Sequence, residues 1–231
     1  MKKRSLRQPI AVGLVALLAL VVGAGESPAQ EIKAPEPGVP EIFTIAGEFV
    51  RIAYNNEGYV SLGYRLANGS VGEEWMRLEI GVTAFGKSQK LNRKAFSLQT
   101  SDDEGFPMAT QVEYSDAYLR ALDMRAGVIR DSINYFPPEA TKACRIGFFT
   151  DAADTRGMAF DQFEAGPQRA CIGRVYFHVP GGIKHGQHWL NVRFENSLLR
   201  VPFRILTEEE EKEFRKTWPD IKKEHEKAFK K

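Results

Sequence analysis

The chain has 231 residues, 43% of them hydrophobic, with 32 basic and 30 acidic side chains and a net charge of +2. A balance this close to neutral carries no electrostatic footprint for nucleic acid. Two cysteines without a C-x-x-C spacing exclude the dithiol redox motif.

Lys2, Lys3, Arg4 and Arg7 form a basic head, and Ile10 to Ala24 then run without a charge. Ser27-Pro28-Ala29 places small residues at −3 and −1 of a cut after Ala29. That layout predicts a secretory signal peptide over 1–29 and an exported chain, periplasmic or extracellular. The competing reading is an uncleaved anchor, but a spanning helix needs about 20 apolar residues. Cleavage removes the four basic residues and Glu26, so the mature chain is close to −1. Residues 30–41 carry Pro35, Pro37 and Pro40 and read as an extended, proline-rich linker.

From 42 to 206 the signals are those of strands. Val50, Ile52 and Tyr54 alternate, as do Val60, Leu62, Tyr64 and Leu66. Asn68-Gly69 suits a tight hairpin turn, and Asn68-Gly-Ser70 also has the form of a glycan acceptor. Met76, Leu78, Ile80, Val82 and Ala84 alternate with Arg77, Glu79, Gly81 and Thr83, which predicts one buried face and one wet face. Phe96 and Leu98 make a short strand before the turn at Ser101 to Gly105. One helical insertion is expected over Asp116 to Ala126, capped by Ser115 and stopped by Gly127. Pro137-Pro138 then imposes an extended passage.

Cys144 and Cys171 each sit just before an apolar, strand-like run, Arg145 to Phe149 and Gly173 to Phe177, so the two strand starts can lie side by side. In an oxidising compartment they are expected to form a disulfide. Two buried free thiols are the alternative. Val175, Phe177 and Val179 alternate up to Pro180-Gly181-Gly182; Leu190, Val192 and Phe194 follow, then Leu199, Val201, Phe203 and Ile205. Pro202 lacks a donor and predicts an edge strand. The fold class is mainly β, an antiparallel sandwich over 42–206.

Residues 207–231 form a charged helical tail. Thr207-Glu208-Glu209-Glu210 is a capping-box sequence. Phe214, Trp218, Ile221, His225 and Ala228 recur at spacings of four and three, which makes one apolar stripe. Pro219 either kinks this helix or follows a second cap at Thr217. The stripe has three possible seats: its own sandwich, a partner met through Phe214, Trp218 and Ile221, or a membrane surface.

Glu74-Trp75-Met76-Arg77-Leu78-Glu79-Ile80-Gly81-Val82-Thr83, Phe96-Ser97-Leu98, the acidic turn with Gly105-Phe106-Pro107, and Gly173-Arg174-Val175-Tyr176-Phe177-His178-Val179-Pro180 together resemble the immunoglobulin-like domains of uncharacterised bacterial secreted proteins. The resemblance covers about 130 residues. It implies an immunoglobulin-like β-sandwich and carries no activity, since its motifs are core and turn positions.

Chemistry-bearing clusters are sparse. His178, His185 and His188 are candidate zinc or copper ligands, in and near a glycine-rich loop, but their spacing is not that of a helix-borne site and turn histidines are the simpler reading. Asp151, Asp154 and Asp161, and separately Asp102, Asp103 and Glu104, supply oxygens, yet neither run follows an EF-hand pattern. There is no G-x-S-x-G elbow, phosphate loop or dinucleotide fingerprint. The sequence therefore points to a non-enzymatic exported binding module without cofactor. Its expected partner is another envelope or secreted protein, met through sandwich loops or the tail; membrane contact is not expected beyond the signal peptide. Trp189 is a second candidate contact residue. A small-ligand or metal-binding protein is the alternative, and an unrecognised secreted hydrolase the next.

Overall fold

The computed structural model describes residues 42–129, 131–150 and 158–229. The expected leader, 1–29, and linker, 30–41, lie outside the described residues, as do Asp151 and Asp154. In chain order the first elements are Ile42–Gly47 (β1), Val50–Tyr54 (β2), Gly58–Gly63 (β3), the short helix Arg65–Asn68 (α1) and Trp75–Ala84 (β4). Gln89–Asn92 (β5), Phe96–Gln99 (β6) and Gly105–Pro107 (β7) precede two helices, Gln111–Asp116 (α2) and Arg120–Val128 (α3). Lys142–Ile146 (β8), Gln162–Ala165 (β9), Arg169–His178 (β10), Gly186–Arg193 (β11), Leu198–Ile205 (β12) and the tail helix Glu208–Phe229 (α4) complete the order.

The strands form a six-stranded sheet, β1-β2-β3-β4-β10-β8, a four-stranded sheet, β12-β11-β6-β7, and a small β5-β9 pair. Alternation in the sequence becomes sidedness. Met76, Leu78, Ile80 and Val82 are fully buried, and so are Leu190, Val192, Leu199 and Val201 from the other sheet. Residues of both sheets belong to one hydrophobic core. The chain is thus β-rich, with antiparallel pairing throughout except that β8 runs parallel to β10. β12 lies at an edge and carries Pro202, where a missing donor costs no ladder bond.

Cys144 and Cys171 are direct partners in the β8–β10 register and are joined as a disulfide. Cys144 stands inside β8 rather than ahead of a strand, and β8 ends at Ile146; the expected run to Phe149 instead turns inward, with Phe148 and Phe149 buried.

Three local expectations are corrected. Asn68-Gly69 is not a hairpin turn: Asn68 ends α1, and its buried Oδ1 accepts the backbone N–H of Leu206 at 2.7 Å. A tertiary bond therefore overrides the turn propensity, and it occupies the side chain a glycan would need. The single helix from Asp116 to Ala126 is two helices. Thr110 caps α2 in a reciprocal capping box with Glu113, so Ser115 falls inside the helix. Tyr118, at φ +50°, breaks the chain direction before α3, and Gly127 lies within α3 rather than stopping it. Finally, α4 continues through Pro219 as one helix, and Thr217 donates to the carbonyls of Glu213 and Phe214 instead of capping a second.

Candidate functional site

The outer face of the six-stranded sheet is covered by the insertion between β7 and β8. Two positions make room for it. A side chain at Gly63 would meet Ile133, and one at Gly81 would meet the Phe136 ring at 2.7 Å. Over these gaps the passage after α3 lies flat on the strands. Tyr59 donates to the carbonyl of Tyr135 at 2.5 Å, and Ser61 to that of Ile133 at 3.0 Å. Arg65 Nη2 reaches Glu48 at 2.5 Å and Asp131 at 2.9 Å, tying the start of the passage to α1.

The helices α2 and α3 are held by a buried polar cluster. Arg77 from β4 and Asp123 from α3 are each 8% exposed, with Nε 3.2 Å from the carboxylate. Asp123 also accepts from Tyr114 of α2 at 2.8 Å and from Tyr176 of β10. Arg77 lies 3.3 Å from Glu79 as well. Burial, with Asp123 accepting the hydroxyl, pushes Tyr114 up to about 12, and burial raises Tyr176 further. Both phenols are therefore neutral donors at any physiological pH, which suits a structural clamp and offers no base.

Between the passage and the β8 edge of the sheet a cleft of about 550 Å³ opens over the strands, lined by Arg77, Glu79, Asp131, Asn134, Arg145 and Arg174 among others. Arg174 is itself fastened to the Thr150 carbonyl at 2.8 Å. The cleft is polar, with cations and carboxylates interleaved.

Outside the cleft, α3 presents an apolar ridge. Leu119, Leu122 and Ala126 face the core. On the opposite side, Met124 and Val128 are 67% and 86% exposed, with exposed Ala121 at the helical spacing that joins them, and Tyr118, in the turn before α3, is 88% exposed. Ile129 continues the ridge at the end of α3. Exposed apolar side chains gathered on and beside one short helix mark a contact patch. Periodicity did not reveal it, because Arg120–Val128 mixes Arg120, Asp123 and Arg125 with its apolar residues and only packing decides which of the apolar ones stay exposed.

The sequence candidates are dispersed. His188 is buried, stacked on Phe203 with ring centroids 5.5 Å apart, and its Nε2 lies 2.9 Å from the Lys184 carbonyl. Burial lowers its pKa. His178 sits beside Trp75, 3.5 Å from Glu74, and His185 is exposed. Among the described residues no three His, Cys, Asp or Glu side chains converge to hold a metal. Asp102 pairs with Lys184 at 2.5 Å, Asp103 takes a positive φ in the turn, and Asp161 is fully exposed. Trp189 is half-buried on the outer face of the four-stranded sheet, with the Arg200 guanidinium 5.2 Å over its ring.

The root of the tail packs on its own chain. The expected capping box forms, with Glu210 N–H on Thr207 Oγ1 at 3.2 Å and Thr207 N–H on Glu210 at 3.0 Å. Phe214 packs edge-on against buried Phe49 at 6.3 Å, and Arg215 lies 3.7 Å from Glu48. Trp218 packs on Phe214, and Trp218 and Ile221 are both half-buried. No helix among the described residues is long and apolar enough to cross a membrane.

Comparison of the chain with protein families, with curated proteins and with solved structures finds no match.

Proposed function

We propose that this chain is an exported, non-enzymatic binding module, an immunoglobulin-like sandwich whose helical insertion docks another protein of the same compartment. The observation that carries the reading is the exposed apolar surface of Met124 and Val128 on α3, with exposed Tyr118 in the turn before it, on a helix pinned to the sheet by the Arg77–Asp123 cluster. Rigid presentation of a large aromatic and flexible methionine is what a protein-binding hot spot needs. The Cys144–Cys171 disulfide agrees with an oxidising destination, and the leader pattern supplies the route.

A photo-crosslinking residue at Met124, compared with one at exposed Lys90 on the far β5 strand, tests this in the native envelope. The expected result is one discrete adduct from position 124 that disappears when Val128 is changed to Lys. The same products from both positions, or none from 124, would reject the reading. A small polar ligand in the cleft is the second reading, favoured by a volume within the usual range for ligand sites.

A further inference from the structure

We infer that the groove beside β5 docks an acidic, extended peptide segment of a partner, added as a further strand to the free edge of β5. The groove is a surface separate from α3, so what it holds is distinct from what meets Met124.

A groove of about 500 Å³ lies between residues 87–95 and the end of β11, Arg193 to Glu195. Its geometry is that of a strand edge. All four residues of β5 line it, although Gln89 and Leu91 are buried and Lys90 and Asn92 exposed. Successive side chains of a strand point to opposite faces, so a groove that meets every one of them runs along the edge and not over a face. The one strand paired with β5 is β9. In an antiparallel pair, part of each strand's backbone N–H and C=O groups point away from its neighbour. Among the described residues, the backbone of Gln89, Lys90 and Leu91 makes no hydrogen bond outside the β9 ladder. Such groups are what an added strand takes up. The facing wall is held in place: the Glu195 N–H donates to Gln89 Oε1 at 3.0 Å, and Lys87 reaches Glu195 at 2.6 Å.

Charge selects the occupant. Four cations line the groove, Lys87, Lys90, Lys94 and Arg193, against the single carboxylate of Glu195, which Lys87 already neutralises. Among the described residues Lys90 and Arg193 form no ion pair. Lys90 stands opposite Glu164 in the β5–β9 register, but Glu164 turns to Arg169 at 3.7 Å. This excess sits on a chain that is nearly neutral as a whole. Lysines along an open edge also guard it against neutral and basic strands. Guarding does not call for Arg193, which comes from β11 and converges on the same groove. A strand that such an edge admits is one bearing carboxylates. With acids at every second position it sets them all on the face of Lys90, where opposite charges on adjacent strands attract.

The test titrates a labelled peptide alternating glutamate with valine into the purified chain, read by fluorescence anisotropy at low and at 0.5 M salt. Micromolar binding is expected at low salt and about tenfold weaker binding at high salt, where screening acts within a few ångströms. Lys90→Glu with Arg193→Glu turns two attractions into repulsions and should weaken binding by about tenfold. That variant should instead take the peptide alternating lysine with valine, which a folding defect would not produce. The glutamate peptide N-methylated throughout keeps its charge and loses its donors, so it should not bind. Amide exchange at Gln89 to Leu91 should slow when the unmethylated peptide is added. No binding of that peptide, or binding indifferent to Lys90 and Arg193, overturns the inference. Equal affinity for the methylated peptide, or for a polyphosphate of the same charge, overturns strand addition and makes the groove a site for anionic polymers.

Discussion

At the scale of residues, the molecule places two titratable groups where water cannot compensate them. Arg77 and Asp123 face each other at 3.2 Å with both side chains 8% exposed. Taking either charge out alone leaves the other buried against an apolar core, which costs about 3 to 5 kcal/mol. Asp123→Ala is therefore expected to lower the urea-unfolding free energy by about 3 kcal/mol, at the lower end because Glu79 still neutralises Arg77. Arg77→Met combined with Asp123→Leu should recover most of that loss; a double variant as unstable as the single would show that geometry, not charge, is what matters. His188 gives the second residue-scale prediction. Its Nε2 bonds the Lys184 carbonyl, which assigns the proton to that nitrogen and leaves Nδ1 bare and buried. Burial holds the folded pKa below that of the unfolded chain, about 6.5. Above that pH both states are neutral at this site and no stability is lost. As pH falls below it the unfolded chain takes up the proton first, so stability declines towards the folded pKa. His188→Gln should flatten the dependence of unfolding free energy between pH 7.5 and 5; an unchanged slope would remove His188 as its source.

At the scale of elements, β8 is a short edge strand that pairs only with β10 and, unlike the rest, in parallel. Parallel pairing is slightly the weaker arrangement, and the register disulfide closes the loop of sequence separation 27 that supplies the strand. Replacing Cys144 and Cys171 together by serine is expected to cost about 3 to 4 kcal/mol in the chain-entropy model. Thermal unfolding with and without reductant measures it, and an equal midpoint in both would show that β8 is held by its hydrogen bonds alone. How much of this was legible in the sequence follows the range of the forces involved. The Met76 to Val82 face, the edge position of Pro202 and the Thr207 capping box were readable because each depends on period or on neighbours a few residues away, and the bridge because two cysteines leave one pairing. The break at Tyr118 was not, since Thr110 and Ser115 both present capping chemistry and only packing chooses between them. Nor was the clamp that seats the insertion: Arg77 and Tyr176 are 99 residues apart, and nothing local marks either as the partner of Asp123.

At the scale of the whole molecule, the six-stranded sheet has two edges and protects them by different means. An open edge invites pairing with another chain. At β8 the disulfide fastens the short edge strand to its inner neighbour β10. At β1 the guard is the tail, whose Phe214 covers Phe49 while Arg215 shares Glu48 with Arg65. Phe49 is 1% exposed and also packs against Tyr64 at 5.5 Å, so the tail root completes a corner that the β1–β2 turn and α1 begin. Removing 207–231 should leave the sheets folded, uncover part of that ring and cost about 1 to 2 kcal/mol. The two edges are separated by the width of six strands, five steps of about 4.8 Å. Sites that far apart with no shared partner add in their effects to within about 0.5 kcal/mol. Truncation combined with Cys144→Ser and Cys171→Ser is therefore expected to sum the two separate losses in urea unfolding. Coupling above about 1 kcal/mol would mean that strain at one edge travels through the shared core to the other, and the sheet would then behave as a single lever, not as a scaffold with two independently guarded sides.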